Sequence, residues 1–101
     1  MRVIVFFDLP TETIENRREY RRFHKVLIKN GFLMMQESVY CRMLLTPGAG
    51  RAVIDVIRKN RPLHGIVQIM TVTEKQFAGI EHITGEHHSE VIESDERLII
   101  L

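Results

Sequence analysis

Cysteine is almost absent from this chain. Cys41 stands alone among 101 residues, so no intrachain disulfide can staple the fold and no thiolate zinc cluster can form. A lone thiol suits a reducing compartment such as the cytoplasm. Tryptophan is missing and prolines number only three. No apolar run approaches the roughly 20 residues that a membrane-spanning helix needs. The apolar run VIVFF near the start follows no basic n-region and is too short for a signal-peptide core. The glycines lack the spacing of a nucleotide-binding loop, and Ser, His and Asp form no triad signature. One stretch also lacks cations. Residues 81–96, EHITGEHHSEVIESDE, hold six of the thirteen acids and no Lys or Arg.

What is present fits one domain over residues 1–101. The chain is 45% apolar and 27% charged, ordinary for a globular protein. A domain this small buries only about two-thirds of its unfolded surface, so its core is marginal alone. Oligomerisation would add to it. The net charge of +1 conceals an asymmetry: residues 1–80 carry 13 bases against 7 acids, a surplus of six. A basic body with an acidic segment near its end is a pattern of proteins that meet phosphate.

Hydrophobic patterning predicts the elements. Arg2 to Phe7 is β-branched and aromatic, a strand with two apolar faces and therefore central. Pro10 ends it. Thr11 or Thr13 can cap a helix that runs to about Asn30, with Gly31 as its C′ residue. FLMMQ (32–36) and SVYCRMLL (38–45) read as strands joined by a tight turn near Gln36, Glu37 and Ser38. TPGAG (46–50) reads as a loop and RAVIDVIRKN (51–60) as a second helix. GIVQIMTVT (65–73) reads as a fourth strand. QFAGIEHI could add a short strand, the acidic stretch reads as a loop, and RLIIL (97–101) reads as a last strand.

The order β-α-β-β-α-β plus one strand predicts an α+β, ferredoxin-like sandwich: an antiparallel sheet with two helices on one face. VIVFF, IVQIM and LIIL are apolar on both faces, so a second body must cover the other face. The simplest cover is the same face of a second copy, a two-fold homodimer. RLIIL would then pair with the partner's sheet rather than remain an open edge.

The first helix holds ENRREYRRFHKVLIK. On a wheel of about 100° per residue, Tyr20, Phe23, Val26 and Leu27 gather on one side. Arg17, Arg18, Arg21, Arg22, Lys25 and Lys29 fall within an arc of about 140° opposite them. Such a stripe suits a run of phosphates, each of which releases counterions when neutralised. The plainer reading is a solvated face paired with Glu12, Glu15 and Glu19. Asp8 is a single carboxylate after an aromatic pair. It reads either as a turn or capping aspartate or as a ligand of Mg²⁺, which keeps several waters and needs one or two carboxylates. In a two-fold dimer its own copy supplies the second. His82, His87 and His88 lie among acids in the segment read as a loop, and His24 and His64 read as structural. The third strand lacks the stacking motif of an RNA recognition motif.

A first strand ending in Asp within FFDLP, an Arg-rich first helix, Gly31-Phe32 and then QESVYCR resemble the CRISPR-associated protein two family. The likeness covers residues 1 to about 73, and the terminal strand also fits. FFDLP is similar to the branch found beside the RNA-guided nuclease of type II systems. The resemblance implies a homodimer with stacked sheets and one Mg²⁺ shared by two copies of Asp8. It implies a partnership with the CRISPR integrase, with the small dimer holding double-stranded prespacer DNA. It also implies a metal-dependent endonuclease acting on RNA or duplex DNA. By position, Asp8 becomes the metal ligand and catalytic residue. Arg17, Arg18, Arg21, Arg22 and Lys25 become the nucleic-acid-binding candidates.

Two functions follow. One is a dimeric DNA-binding scaffold of spacer acquisition; the other is a magnesium-dependent phosphodiesterase. One carboxylate per chain is a thin catalytic apparatus beside two-metal nucleases, which favours the scaffold. A small-ligand regulatory module on the same fold would leave the arginine stripe without a purpose.

Overall fold

The computed structural model describes residues 1–85. Seven elements follow one another: β1 (Arg2–Asp8), α1 (Ile14–Lys29), β2 (Leu33–Gln36), β3 (Val39–Met43), α2 (Pro47–Lys59), β4 (Ile66–Val72) and α3 (Glu74–Ala78). The four strands form one sheet in the order β2-β3-β1-β4, antiparallel throughout. This is the ferredoxin-like arrangement. β1 is central, flanked by β3 and β4, as its doubly apolar sequence requires. The proposed strand at 97–101 lies outside the described residues.

Register assigns the two faces. Val5 sits between Tyr40 of β3 and Ile69 of β4, and Phe7 sits opposite Val67. With Val3 they meet Phe23 and Leu27 of α1 and Val53 and Ile57 of α2, and this layer is the core. Phe7 anchors an aromatic group: its ring stacks on Tyr40 at 5.6 Å and meets Tyr20 and Phe23 edge-on. Each such large side chain contributes roughly 1.5–3 kcal/mol by leaving water.

The other face carries Arg2, Ile4, Phe6 and Asp8 of β1, Val39, Cys41 and Met43 of β3, and Ile66, Gln68, Met70 and Val72 of β4. No helix of α1 or α2 covers it. Leu33, Met43, Ile66 and Met70 are about half exposed or more there (59, 53, 58 and 48%). A groove of ≈ 270 Å³ is lined by Leu33, Met35, Cys41, Met43 and Phe77 among others.

Helix ends follow their caps. Thr13 accepts from Asn16 N–H at the start of α1. At its end the Gly31 and Phe32 amides donate to Ile28 and Leu27 carbonyls, and Gly31 takes φ +84°. This is a Schellman closure with glycine at C′. Two expectations require correction. α2 begins at Pro47, not at Arg51, because Thr46 caps it and Pro occupies the first turn, where its missing N–H costs nothing. QFAGIEHI adds no strand. Thr73 and Gln76 form a capping box that opens α3 instead. Phe77 on α3 receives the Arg2 guanidinium 3.9 Å above its ring, and Glu74 pairs with Arg2 at 3.1 Å. These two contacts hold α3 at the Arg2 end of the sheet.

Candidate nucleic-acid interface and the strand-end carboxylate

Phe23 and Leu27 fix how α1 is rolled. Both are fully buried against the sheet, so the opposite arc points outward. Its cations divide into two groups. At one margin Arg17 donates to the Thr11 and Glu12 carbonyls. At the other, Arg22 pairs with Glu19 at 3.0 Å and donates to the Asn60 and Arg61 carbonyls. Glu19 also accepts from the Leu63 amide. Arg22 and Glu19 thus clamp α1 to the end of α2 and to the loop before β4. The hydrogen bonds from Arg22 hold the Glu19 carboxyl below its ordinary range against a smaller opposing effect of desolvation.

Arg18, Arg21, Lys25 and Lys29 remain. All four are exposed, and among the described residues none forms an ion pair or side-chain hydrogen bond. They occupy the middle of the stripe, an arc of about 80° over about 16 Å of helix. Of the acids that a self-paired face would use, Glu19 serves Arg22, and among the described residues neither Glu12 nor Glu15 pairs with these cations. The sequence grouped all six cations together; the structure separates two fastening arginines from four open cations.

Asp8 ends β1 opposite Ile66. Its side chain is exposed on the uncovered sheet face, while the next residue, Leu9, turns into the core. The apolar run before it therefore does not bury the carboxylate. A turn at Gly65 sets this position. Gly65 has φ +95°, and a Cβ there would lie 2.6 Å from the Asp8 carbonyl oxygen and 2.8 Å from Leu9 Cδ2. Sequence reading missed Gly65 as a positioning residue; the signal was a glycine directly before the apolar run of β4.

Asp8 and the cation stripe do not come together. The carboxylate lies on the open face of the sheet, and the cations lie outside the helix layer that covers the other face. As to the metal, the described residues hold no group of three or more His, Cys, Asp or Glu side chains able to bind one. One exposed carboxylate is a donor for a largely hydrated Mg²⁺ and leaves the rest of its shell to water and a second carboxylate.

Two further groups reached by sequence reading have structural places. His24 Nδ1 lies 2.6 Å from the Tyr40 hydroxyl. Tyr40 is buried, and desolvation raises its phenol above its ordinary range. Ser38 takes φ +65° in the β2–β3 turn.

Residues 1–80 match the family model described as CRISPR associated protein Cas2. The chain belongs to the Cas2 family. A protein of Treponema denticola named CRISPR-associated endoribonuclease Cas2 is 50% identical over 101 residues, all of both chains. A Streptococcus mutans protein of the same name is 45% identical over all of this chain and 93% of its own. The crystal structure of Streptococcus pyogenes Cas2 at pH 6.5 superposes with a TM-score of 0.64, covering 83% of this chain and all of that one, at 20% identity. That likeness concerns the fold. Among the described residues no helix is long and apolar enough to cross a membrane.

Proposed function

We propose that this Cas2-family chain is a homodimeric scaffold of CRISPR adaptation, one that holds double-stranded prespacer DNA and bridges integrase dimers. The observation that carries this reading is a set of four cations, Arg18, Arg21, Lys25 and Lys29, along one exposed helix face and without partners among the described residues. Point charges in a row neutralise successive phosphates without reading bases. Affinity should therefore be insensitive to sequence and fall with salt, with a logarithmic slope of about −3.6 for four phosphate contacts per chain. Arg17 supports the interface by fastening the start of α1, and Arg22 by tying its middle to the segment between α2 and β4. The half-exposed apolar sheet face supports a second copy of the chain as its cover.

The second reading is an endonuclease, as the relatives are named. Its support here is Asp8, exposed at the strand end on the face that a second copy would cover. Two copies of Asp8 would hold one hydrated Mg²⁺, which when bound polarises a phosphate for attack. Asp8 is the one carboxylate that the strands of this face present among the described residues, so β1 would contribute one ligand per copy.

One experiment tests both. Arg18→Glu with Arg21→Glu should abolish duplex binding and spacer acquisition while leaving the melting temperature within a few degrees of the parent. Asp8→Asn should remove Mg²⁺-dependent cleavage and leave acquisition largely intact. Acquisition lost in Asp8→Asn, with the integrase complex still formed, would make the chemistry essential and overturn the scaffold reading. Duplex affinity unchanged by the charge reversals would remove the stripe from it.

A further inference from the structure

The helix layer carries a second set of open cations that the proposed function does not use. β3 ends at Met43 opposite Arg2, and β4 begins at Ile66 opposite Asp8. α2 joins them and so runs in the opposite sense to α1. Its buried Val53 and Ile57 fix its roll. Arg51 and Lys59 therefore face outward, about 80° apart around the helix and about 12 Å apart along it. Arg61 follows just beyond the helix end. All three are exposed, and among the described residues none of their side chains forms an ion pair or hydrogen bond. Asp55, the acid between Arg51 and Lys59, is taken by Arg58 at 2.9 Å.

The two sets lie side by side. Arg22 of α1 donates to the Asn60 and Arg61 carbonyls at 3.0 and 3.2 Å, so Lys59 and Arg61 stand beside the first half of the α1 stripe. Arg51 stands about two turns back, towards the end of the sheet where Lys25 and Lys29 are. Between the rows sits the Arg22–Glu19 ion pair, which cancels its own charge. One row of cations suffices to follow a single phosphate backbone. Two rows at a fixed separation suit a duplex, whose two backbones border each groove. Single-strand binders also rely on exposed aromatic rings for base stacking. Neither helix offers one outward, because Tyr20 packs against the core and Phe23 is buried in it.

We infer that the α2 row, Arg51, Lys59 and Arg61, takes phosphates of the second strand, and that it makes this surface selective for duplex over single-stranded nucleic acid. The inference rests on the α1 stripe being the surface that takes the first strand. A single strand engages one row and gains nothing from the other. A duplex engages both and releases counterions from both. Selection is by backbone geometry, so base sequence does not enter it.

The test measures fluorescence anisotropy of the full chain with a DNA duplex of mixed sequence and with either of its strands alone. Arg51→Gln, Lys59→Gln and Arg61→Gln are combined in one variant. Its duplex affinity at low salt should fall about tenfold or more, and its logarithmic salt slope should relax by about 2.7 for three lost contacts. Its affinity for the single strand should stay within about twofold of the parent. The sites are exposed, so the melting temperature should hold. Lys59→Gln alone, which disturbs the fold least, should relax the slope by about 0.9. Parent-like duplex binding in the triple variant, or equal losses for duplex and single strand, would overturn the inference. If Arg18→Glu with Arg21→Glu abolishes duplex binding while the triple variant binds like the parent, the stripe stands and the second row fails. If the α1 reversals change nothing while the triple variant loses binding, the stripe reading fails and the two-row reading fails with it.

Discussion

Gly65 sets the geometry around Asp8 more strictly than any neighbour. Its φ of +95° is one that side-chain-bearing residues adopt at a cost, and a Cβ would meet Asp8 backbone at 2.6 Å. Gly31 is the useful contrast. Its φ is +84°, yet a Cβ there meets only the flexible Arg42 side chain, at 3.5 Å. Gly65→Ala should cost about 2–3 kcal/mol, the sum of backbone strain and a clash that only backbone movement relieves. Gly31→Ala should cost about 1 kcal/mol, from the left-handed conformation alone. Urea unfolding of the two variants checks the difference; equal losses would mean that the Asp8–Gly65 contact is not tight. The two glycines also differ in legibility. Gly31 follows an amphipathic helix, where a C′ glycine is expected, and reads directly from the sequence. The role of Gly65 depends on a strand end 57 positions earlier in the chain, so local pattern could not assign it.

At the scale of elements, the sheet, both long helices and the β2–β3 turn were legible because their apolar periodicity agrees with their tertiary burial. The misread starts have local causes. Thr46-Pro47 is a helix opening, but Gly48 and Gly50 lower helix propensity and suggested a loop. The fold accepts Gly50 because a Cβ there would sit 2.9 Å from Leu44 Cδ1; close packing overrides propensity. The cation stripe was legible as composition and not as partnership. No pattern within α1 could reveal that Arg22 is spent on carbonyls 38 and 39 residues away. That clamp has a pH signature. Its Glu19 carboxyl titrates below its ordinary value because Arg22 favours the charged form. A depressed folded-state value means the carboxylate contributes stability above the unfolded value and loses it as pH falls through the folded one. Thermal stability should therefore drop on the acid side, below the ordinary glutamate range. In Glu19→Gln that part of the drop should be missing, with lower stability near neutral pH. A parallel pH profile in parent and variant would show that the clamp does not depend on the charge.

The described residues present two unlike surfaces with the sheet between them. One is a helix layer edged with open cations; the other is a sheet face bearing the exposed Leu33, Met43, Ile66 and Met70. Contiguous apolar surface of this kind on a small chain marks a place where another body docks. The proposed second copy fits the sign of the charges: the cations would stay outside on both copies, and the two Asp8 carboxylates would lie on the shared side. Met70 is the sharpest probe, because it is paired across from Ile4 on this face and is half exposed in the single chain, so a charge there harms the monomer little. Met70→Lys would bury two like charges in an isologous interface, unpaired and desolvated, which typically costs several kcal/mol. Light scattering of the parent should give twice the 11.8 kDa chain mass. Met70→Lys should give a folded particle of one chain mass at the same concentration, while Arg21→Glu on the helix layer should leave the doubled mass unchanged. A parent that stays at one chain mass at high concentration would leave this sheet face without its second copy, and the pairing of the two Asp8 carboxylates would fail with it.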